Sequence, residues 1–246
     1  MGKIVAIGGG EIRDLDTLLL DKEIVRLTGK KHPRALFIPT ASGDSEGYWL
    51  AFQKVYGDML GCTTEVLFLL RQNQKKKDIE KKILEADLIY VGGGNTLKML
   101  KLWRKTGVDE LLIRAYRRGT VLSGLSAGAI CWFRYGCSDS RRFSNPTNNS
   151  YMRVSGLDLV NLTISPHHIR EVGRDNGLAK LMQRTSGVAI ALDDNCAIEI
   201  IDGKYRIISA RKGVRAKKVY CKNKAIRLDH LDVSEGYTPI SRLLEK

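Results

Sequence analysis

The chain has 246 residues, 43% of them hydrophobic, and a formal net charge of +14, which is enough apolar material to bury a core without covalent staples. Its five cysteines are odd in number, widely spaced and free of any CxxC pair, which excludes a disulfide framework, a zinc ribbon and a redox centre; no metal and no cofactor are expected, and the thiols read as buried and free. Met1-Gly2-Lys3 opens neither a secretory signal nor a myristoylation site, and no apolar run is long enough to span a bilayer, so no membrane is expected and the expected address is cytoplasmic.

The positive charge is concentrated. Residues 203–228 hold ten Lys or Arg and no Asp or Glu, leaving only +4 on the rest of the chain. A surface built throughout for polyanions is therefore excluded; a solvated basic face on a C-terminal hairpin explains the charge, and nucleic acid is not an expected partner.

Along the chain, short β-branched runs at 3–8, 35–39, 64–69, 87–91 and 120–123 alternate with amphipathic stretches. Leu15, Leu18, Leu19, Ile24, Val25 and Leu27 have the spacing of one helical face, as do Trp49, Phe52, Val55, Tyr56 and Met59. The pattern predicts an α/β fold, a doubly wound and mostly parallel sheet with helices on both faces. Further strands are expected at 162–165, 188–192 and 197–201, a helix at 174–183 and a hairpin over 204–224. With no low-complexity linker and no internal repeat, residues 1–246 read as one domain.

Doubly wound sheets bind ligands beyond the carboxyl ends of their strands, and the segments at those ends are rich in glycine: Gly8-Gly9-Gly10, Gly92-Gly93-Gly94-Asn95 and Gly124-Leu125-Ser126-Ala127-Gly128. The last is a GxSxG between a strand and the start of a helix, the setting of a nucleophile elbow, in which small flanking residues allow a sharp turn that presents the serine. Ser126 is thus the candidate nucleophile, with the N–H of Ala127 as one oxyanion donor and the run Gly92, Gly93 and Gly94, which Asn95 closes, as the source of a second. A serine needs a base and an orienting carboxylate. His167 and His168 follow a predicted strand on the same edge, whereas His32 and His230 do not; Asp193 and Asp194 follow the strand at 188–192, and Asp139 lies shortly after the elbow helix.

Together, Gly92-Gly93-Gly94-Asn95-Thr96, Gly124 to Ala129, Ser165-Pro166-His167 and Ile190 to Ala197 resemble, in order and spacing, the peptidase E family of aspartyl dipeptidases and its relative cyanophycinase. The resemblance implies a class I glutamine amidotransferase-like fold and a cofactor-free serine peptidase working through an acyl-enzyme on dipeptides or short peptides, with acidic N-terminal residues favoured. It implies Ser126 as nucleophile, His167 in preference to His168 as base, and Asp194 as the carboxylate, with Asp139 as second choice. It also implies Arg174 as the cation that holds a substrate carboxylate, with Arg170 as rival. Partners are then a small peptide substrate and, for oligomeric state, a homodimer is compatible with the sequence. The competing function is a binding module of the same fold, in which the glycine loops hold a small anion or nucleotide and Ser126 is only a turn residue. A third reading makes the basic segment a site for RNA or a partner protein. The polar stretch 138–155 reads as a loop long enough to cover the site.

Overall fold

A computed structural model describes residues 2–71, 74–148, 150–168 and 173–245. In chain order its elements are β1 (Lys3–Ile7), α1 (Leu18–Leu27), β2 (Arg34–Ile38), α2 (Glu46–Phe52), β3 (Thr63–Val66), α3 (Lys76–Glu85), β4 (Leu88–Val91), α4 (Thr96–Thr106), α5 (Val108–Arg117), β5 (Val121–Leu125) and α6 (Ala127–Ile130). There follow β6 (Phe133–Ser138), β7 (Met152–Ser155), β8 (Val160–Ser165), α7 (Arg174–Met182), β9 (Val188–Leu192), β10 (Cys196–Ile201), β11 (Lys204–Ser209), β12 (Ala216–Lys222), β13 (Ala225–Leu231), β14 (Thr238–Pro239) and α8 (Ile240–Leu244).

The strands form two mixed sheets. The first runs β14-β11-β10-β1-β5-β4-β2-β3, with its five N-terminal strands parallel and β10, β11 and β14 antiparallel. Its parallel strands bury both faces, so alternate residues serve opposite cores. Ile4, Ala6, Leu36, Ile38, Ile89 and Val91 meet Ile83, Met99, Trp103 and Leu112 of α3, α4 and α5. Val5, Ile7, Ala35, Phe37, Leu88 and Tyr90 meet Leu20, Ile24 and Leu27 of α1 together with Phe52, Val55 and Tyr56. The second sheet runs β13-β12-β9-β8-β6-β7. Through Val188, Ile190 and Leu192 it shares the first of these cores, and through Ala189 and Ala191 it packs against Leu178 and Met182 of α7. No helix among the described residues is long and apolar enough to cross a membrane.

Local chemistry sets the helix ends. The Ser45 and Asn95 side chains accept from the N–H groups of Tyr48 and Lys98 at 3.3 and 3.0 Å, capping α2 and α4. Beyond α2 the chain widens into π-type turns over Gln53–Met59, so the helical face read at 49–59 is one helix and one irregular continuation.

Three expectations need correction. The hairpin expected over 204–224 is two strands in different sheets: β11 pairs with β10, while β12 pairs with β13 and β9. The helix after the elbow is only four residues long, and Phe133 begins β6. The stretch 138–155 is not all loop, since it contains a 3-10 turn at Ser140–Phe143 and β7; Asn149 lies outside the described residues.

Candidate active site

β5 ends in Leu125 and α6 begins at Ala127, so Ser126 alone makes the turn, at φ 54° and ψ −111°. A non-glycine residue held there stores on the order of 1–3 kcal/mol of strain, which the surroundings must over-determine. They do so from both sides. Ser126 donates its N–H to Ile7 O at 3.2 Å, and the flanking glycines permit contact that no side chain would: a Cβ on Gly128 would overlap the carbonyl of Val91. The half-buried serine stands beside Gly93, whose position for a Cβ lies 3.4 Å from Ser126 Cβ. The N–H groups that open α6 have no acceptor within the helix by geometry. The Gly93 N–H lies 3.5 Å from Tyr48 Oη, and Asn95 N–H bonds Ala41 O at 2.8 Å, so the 92–95 loop is held against the α2 side of the sheet.

His167 follows Pro166 at the end of β8, with φ 61°. Its Nδ1 lies 2.6 Å from Asp194 Oδ1, both side chains being 17% exposed, and its N–H bonds Gly8 O at 3.1 Å. Asn195, also at positive φ, donates its N–H to Gly9 O at 2.9 Å. The three carbonyls of Ile7, Gly8 and Gly9 therefore bind, in turn, the backbones of Ser126, His167 and the residue after Asp194. Gly9 has a further duty: a Cβ there would land on Asp194 Oδ1 and His167 Nδ1. Sequence reasoning noted Gly8-Gly9-Gly10 as one glycine loop among several and missed this hub; the usable signal was three glycines directly after a strand whose parallel neighbour is the elbow strand.

The neighbouring His168 is buried and does something else. Its Nε2 is 2.7 Å from Ser165 Oγ and its Nδ1 2.8 Å from Asp175 Oδ1. Burial pushes its imidazole down to about 4 despite the Asp175 carboxylate, so it is neutral at pH 7. It ties the end of β8 to α7.

Of the other site candidates, Asp139 precedes the 3-10 turn, where its carbonyl accepts from Arg142 N–H at 2.8 Å. Its neighbours Ser138 and Ser140 bond the start of α4, at Thr96 Oγ1 and Leu97 N–H. The carboxyl group that reaches His167 is that of Asp194. Arg174 is 1% exposed, with its guanidinium 4.8 Å from the Tyr151 ring centre and Nη2 3.4 Å from Cys137 O; Arg170 lies outside the described residues. A cleft of about 640 Å³ opens on the Asp194 side, and Glu11, Asp14, Asp16, Arg211 and Lys212 are among the residues that line it. Cys131 is buried in the turn after α6, bonds Gly128 O at 3.3 Å, and burial holds its thiol well above the ordinary range, so it offers no thiolate.

With this geometry in hand, comparison with known proteins is informative. The chain matches peptidase family S51 over residues 4–208. It is 35% identical over 224 residues to the "uncharacterized peptidase YgaJ" of Bacillus subtilis, covering 89% of this chain and 92% of that protein. It is 25% identical over 193 residues to peptidase E of Salmonella typhimurium, covering 77% and 78%. Among solved structures it superposes on a peptidase from an acI-B1 Actinobacterium with a TM-score of 0.73 at 20% identity, covering 97% of both chains. A putative peptidase E from Listeria monocytogenes gives 0.65 at 21% identity, covering 86% of this chain and all of that one. At such identities the two superpositions speak for the fold alone. The protein is a peptidase, a hydrolase on an α/β frame with mixed sheets. It belongs to peptidase family S51, the family of peptidase E.

Proposed function

We propose that the protein is a serine peptidase that hydrolyses dipeptides or other short peptides through an acyl-enzyme on Ser126. The observation that carries this reading is the common anchoring of Ser126 and His167 on the carbonyls of Ile7 and Gly8, with Asp194 hydrogen-bonded to His167. In the proposed reaction the Ser126 hydroxyl attacks the scissile carbonyl and passes its proton to His167 Nε2. Asp194, accepting the Nδ1 proton, fixes the tautomer and stabilises the imidazolium. The N–H of Ala127, with an N–H from the 92–94 glycine loop, receives the developing oxyanion. Collapse expels the amine with the proton from His167, and water, deprotonated by the same imidazole, releases the acyl group. Gly92, Gly93 and Gly94, closed by Asn95, form that loop.

A preference for acidic N-terminal residues requires a cation beside the site. Arg174 lies beneath Tyr151, and the cleft beside Asp194 is lined by Arg211 and Lys212 as well as by Glu11, Asp14 and Asp16. The test is intact-mass analysis after treatment with a fluorophosphonate, on wild type, Ser126→Ala and His167→Ala. Stoichiometric labelling that disappears in both variants is expected, followed by cleavage of short peptides with Asp and Ala compared at the N-terminus. A folded wild type that takes up no label sinks the proposal and favours the small-anion or nucleotide-binding module of the same fold.

A further inference from the structure

The cleft beside Asp194, of about 640 Å³, has the size of a small-molecule site, yet neither Ser126 nor His167 is among the residues that line it. Two segments wall it, residues 10–16 between β1 and α1 and residues 211–214 between β11 and β12; Asp194 and Asn195, which join β9 to β10, complete it. The first segment contributes Glu11, Asp14 and Asp16, the second Arg211 and Lys212. With Asp194 the lining holds four carboxylates and two cations, both signs with an excess of two negative charges. The carboxylates do not converge as metal ligands would: no group of three or more acidic, His or Cys side chains suited to a metal ion occurs among the described residues. Asp14 instead meets Arg13 Nε at 3.5 Å at the surface, and Asp16 Oδ2 accepts the Glu11 N–H at 3.2 Å.

One atom of the lining is buried without a partner. Asn195 is 9% exposed, and its backbone is engaged on both sides, the N–H donating to Gly9 O at 2.9 Å and the C=O accepting from Ala210 N–H at 2.8 Å. Its side-chain Oδ1 has no hydrogen-bond partner. That oxygen lies against Gly10, where a Cβ would approach it to 2.5 Å, and Gly10 itself lines the cleft. A buried acceptor left unpaired is costly, and only an N–H or O–H group satisfies it. An ammonium group brings three such hydrogens and a positive charge, which suits Asn195 Oδ1 and the neighbouring carboxylates together. Arg211 and Lys212 supply the place for an anionic group of the same ligand.

We propose that this cleft is a second binding site, for a zwitterion. Its ligand is a short peptide or free amino acid whose ammonium group donates to Asn195 Oδ1 and whose carboxylate pairs with Arg211 or Lys212. Asp194 joins the two sites, because its Oδ1 lies 2.6 Å from His167 Nδ1 while the residue also borders the cleft. An ammonium group beside Asp194 competes for the carboxylate that orients the imidazole. On the peptidase reading, on which this consequence rests, the ligand has the chemistry of the product, and its binding slows turnover without displacing substrate from Ser126.

The test is heteronuclear NMR of the full-length Ser126→Ala variant, titrated with L-alanyl-L-alanine and, separately, with L-alanine, so that peptide and free amino acid are told apart. Saturable shifts are expected at the backbone amides of Gly10, Asn195 and Gly213. N-acetyl-L-alanine and L-alanine amide, each lacking one of the two charges, are expected to bind at least about tenfold more weakly. Arg211→Glu/Lys212→Glu should lose the response at the cleft, and Arg211→Lys/Lys212→Arg should retain it. Shifts confined to the surroundings of Ser126, or binding that the two singly charged ligands reproduce, overturn the proposal. In wild type the same zwitterion should lower kcat for peptide cleavage with KM unchanged; purely competitive inhibition would break the link through Asp194. A chain that binds at the cleft and cleaves no peptide would refute the peptidase reading and leave this site standing.

Discussion

Gly9 carries no functional atom, yet the geometry gives it as much control over the site as a side chain would have. The imidazole of His167 and the carboxyl of Asp194 both rest against its Cα, so Gly9→Ala must push one or both aside. A displacement near 1 Å is worth about 100-fold in rate when the reacting groups must be held in register. We expect kcat/KM to fall by at least that factor while the melting temperature changes little; a variant of wild-type activity would mean that the dyad is not held where catalysis needs it. A second residue-scale prediction concerns Asp21, fully buried and accepting from Tyr56 Oη and Thr17 Oγ1, both at 2.8 Å. Burial, opposed by those two hydrogen bonds, pushes its carboxyl up to about 7. Since the group sits near 3.8 in the unfolded chain, the folded state holds its proton more tightly. The resulting stabilisation is complete below pH 4 and is lost as pH rises to about 7, an effect of up to about 4 kcal/mol. Asp21→Asn keeps an acceptor for Tyr56 and donates to Thr17, so its melting temperature should vary less between pH 5 and 8 than that of wild type. Parallel melting curves for the two would refute the assignment.

At the scale of elements, what could be read in the sequence was what short segments decide for themselves. The elbow is such a case: a strand, a serine and two glycines within five residues specify the turn, and the structure has that turn at Ser126. The alternation of β1, β2 and β4 is another, because burial on both faces writes itself into consecutive apolar residues. The second sheet is not local. Pairing β6 with β8 and β9 with β12 brings together segments tens of residues apart, and nothing in a single window shows that Arg174 packs, buried, against Tyr151. The misplaced hairpin has a sharper cause. Asp202-Gly203, at φ 48° and 74°, is itself a tight hairpin turn and joins β10 to β11; taking Lys204 as the start of a new unit discarded that signal. The same hairpin holds the C-terminal segment down. Glu199 of β10, 0% exposed, takes Arg206 Nη2 at 3.0 Å and the Tyr237 hydroxyl, while Arg206 stacks 4.8 Å from the Tyr237 ring centre. Burial, and then the bond to Glu199, pushes the Tyr237 phenol up to about 12, so it remains a donor at neutral pH. Tyr237→Phe removes that donor from a buried carboxyl group and should cost about 2 kcal/mol. Denaturant unfolding measures the loss, and hydrogen exchange should show it concentrated between β11 and α8; an unchanged midpoint would show that Arg206 alone satisfies Glu199.

For the whole molecule, the decisive feature is that the two sheets share one interior besides the core that each has on its other face. Ile4 and Ile89 of the first sheet, Ile164 and Ile190 of the second, and Ile130, Cys131 and Trp132 from the turn between them belong to one continuous buried cluster. Each large apolar side chain of this kind contributes about 1.5–3 kcal/mol by burial, and those in the turn touch both sheets, so neither sheet can open without exposing the surface of the other. The candidate site depends on the same continuity, because Ser126 comes from the first sheet and His167 and Asp194 from the ends of β8 and β9 in the second. Loss of activity and loss of fold should therefore coincide. In urea, tryptophan fluorescence, which reports Trp103 and Trp132 in the shared core together with the half-buried Trp49 of α2, far-ultraviolet circular dichroism and peptidase activity are expected to give one midpoint. Ile190→Ala, a truncation in the second sheet costing about 2–5 kcal/mol, should lower all three midpoints together although Trp103 lies on a helix of the first. Separate transitions, or a circular dichroism midpoint that falls while fluorescence stays put, would divide the chain into two folding units and leave the site at a boundary that can open by itself.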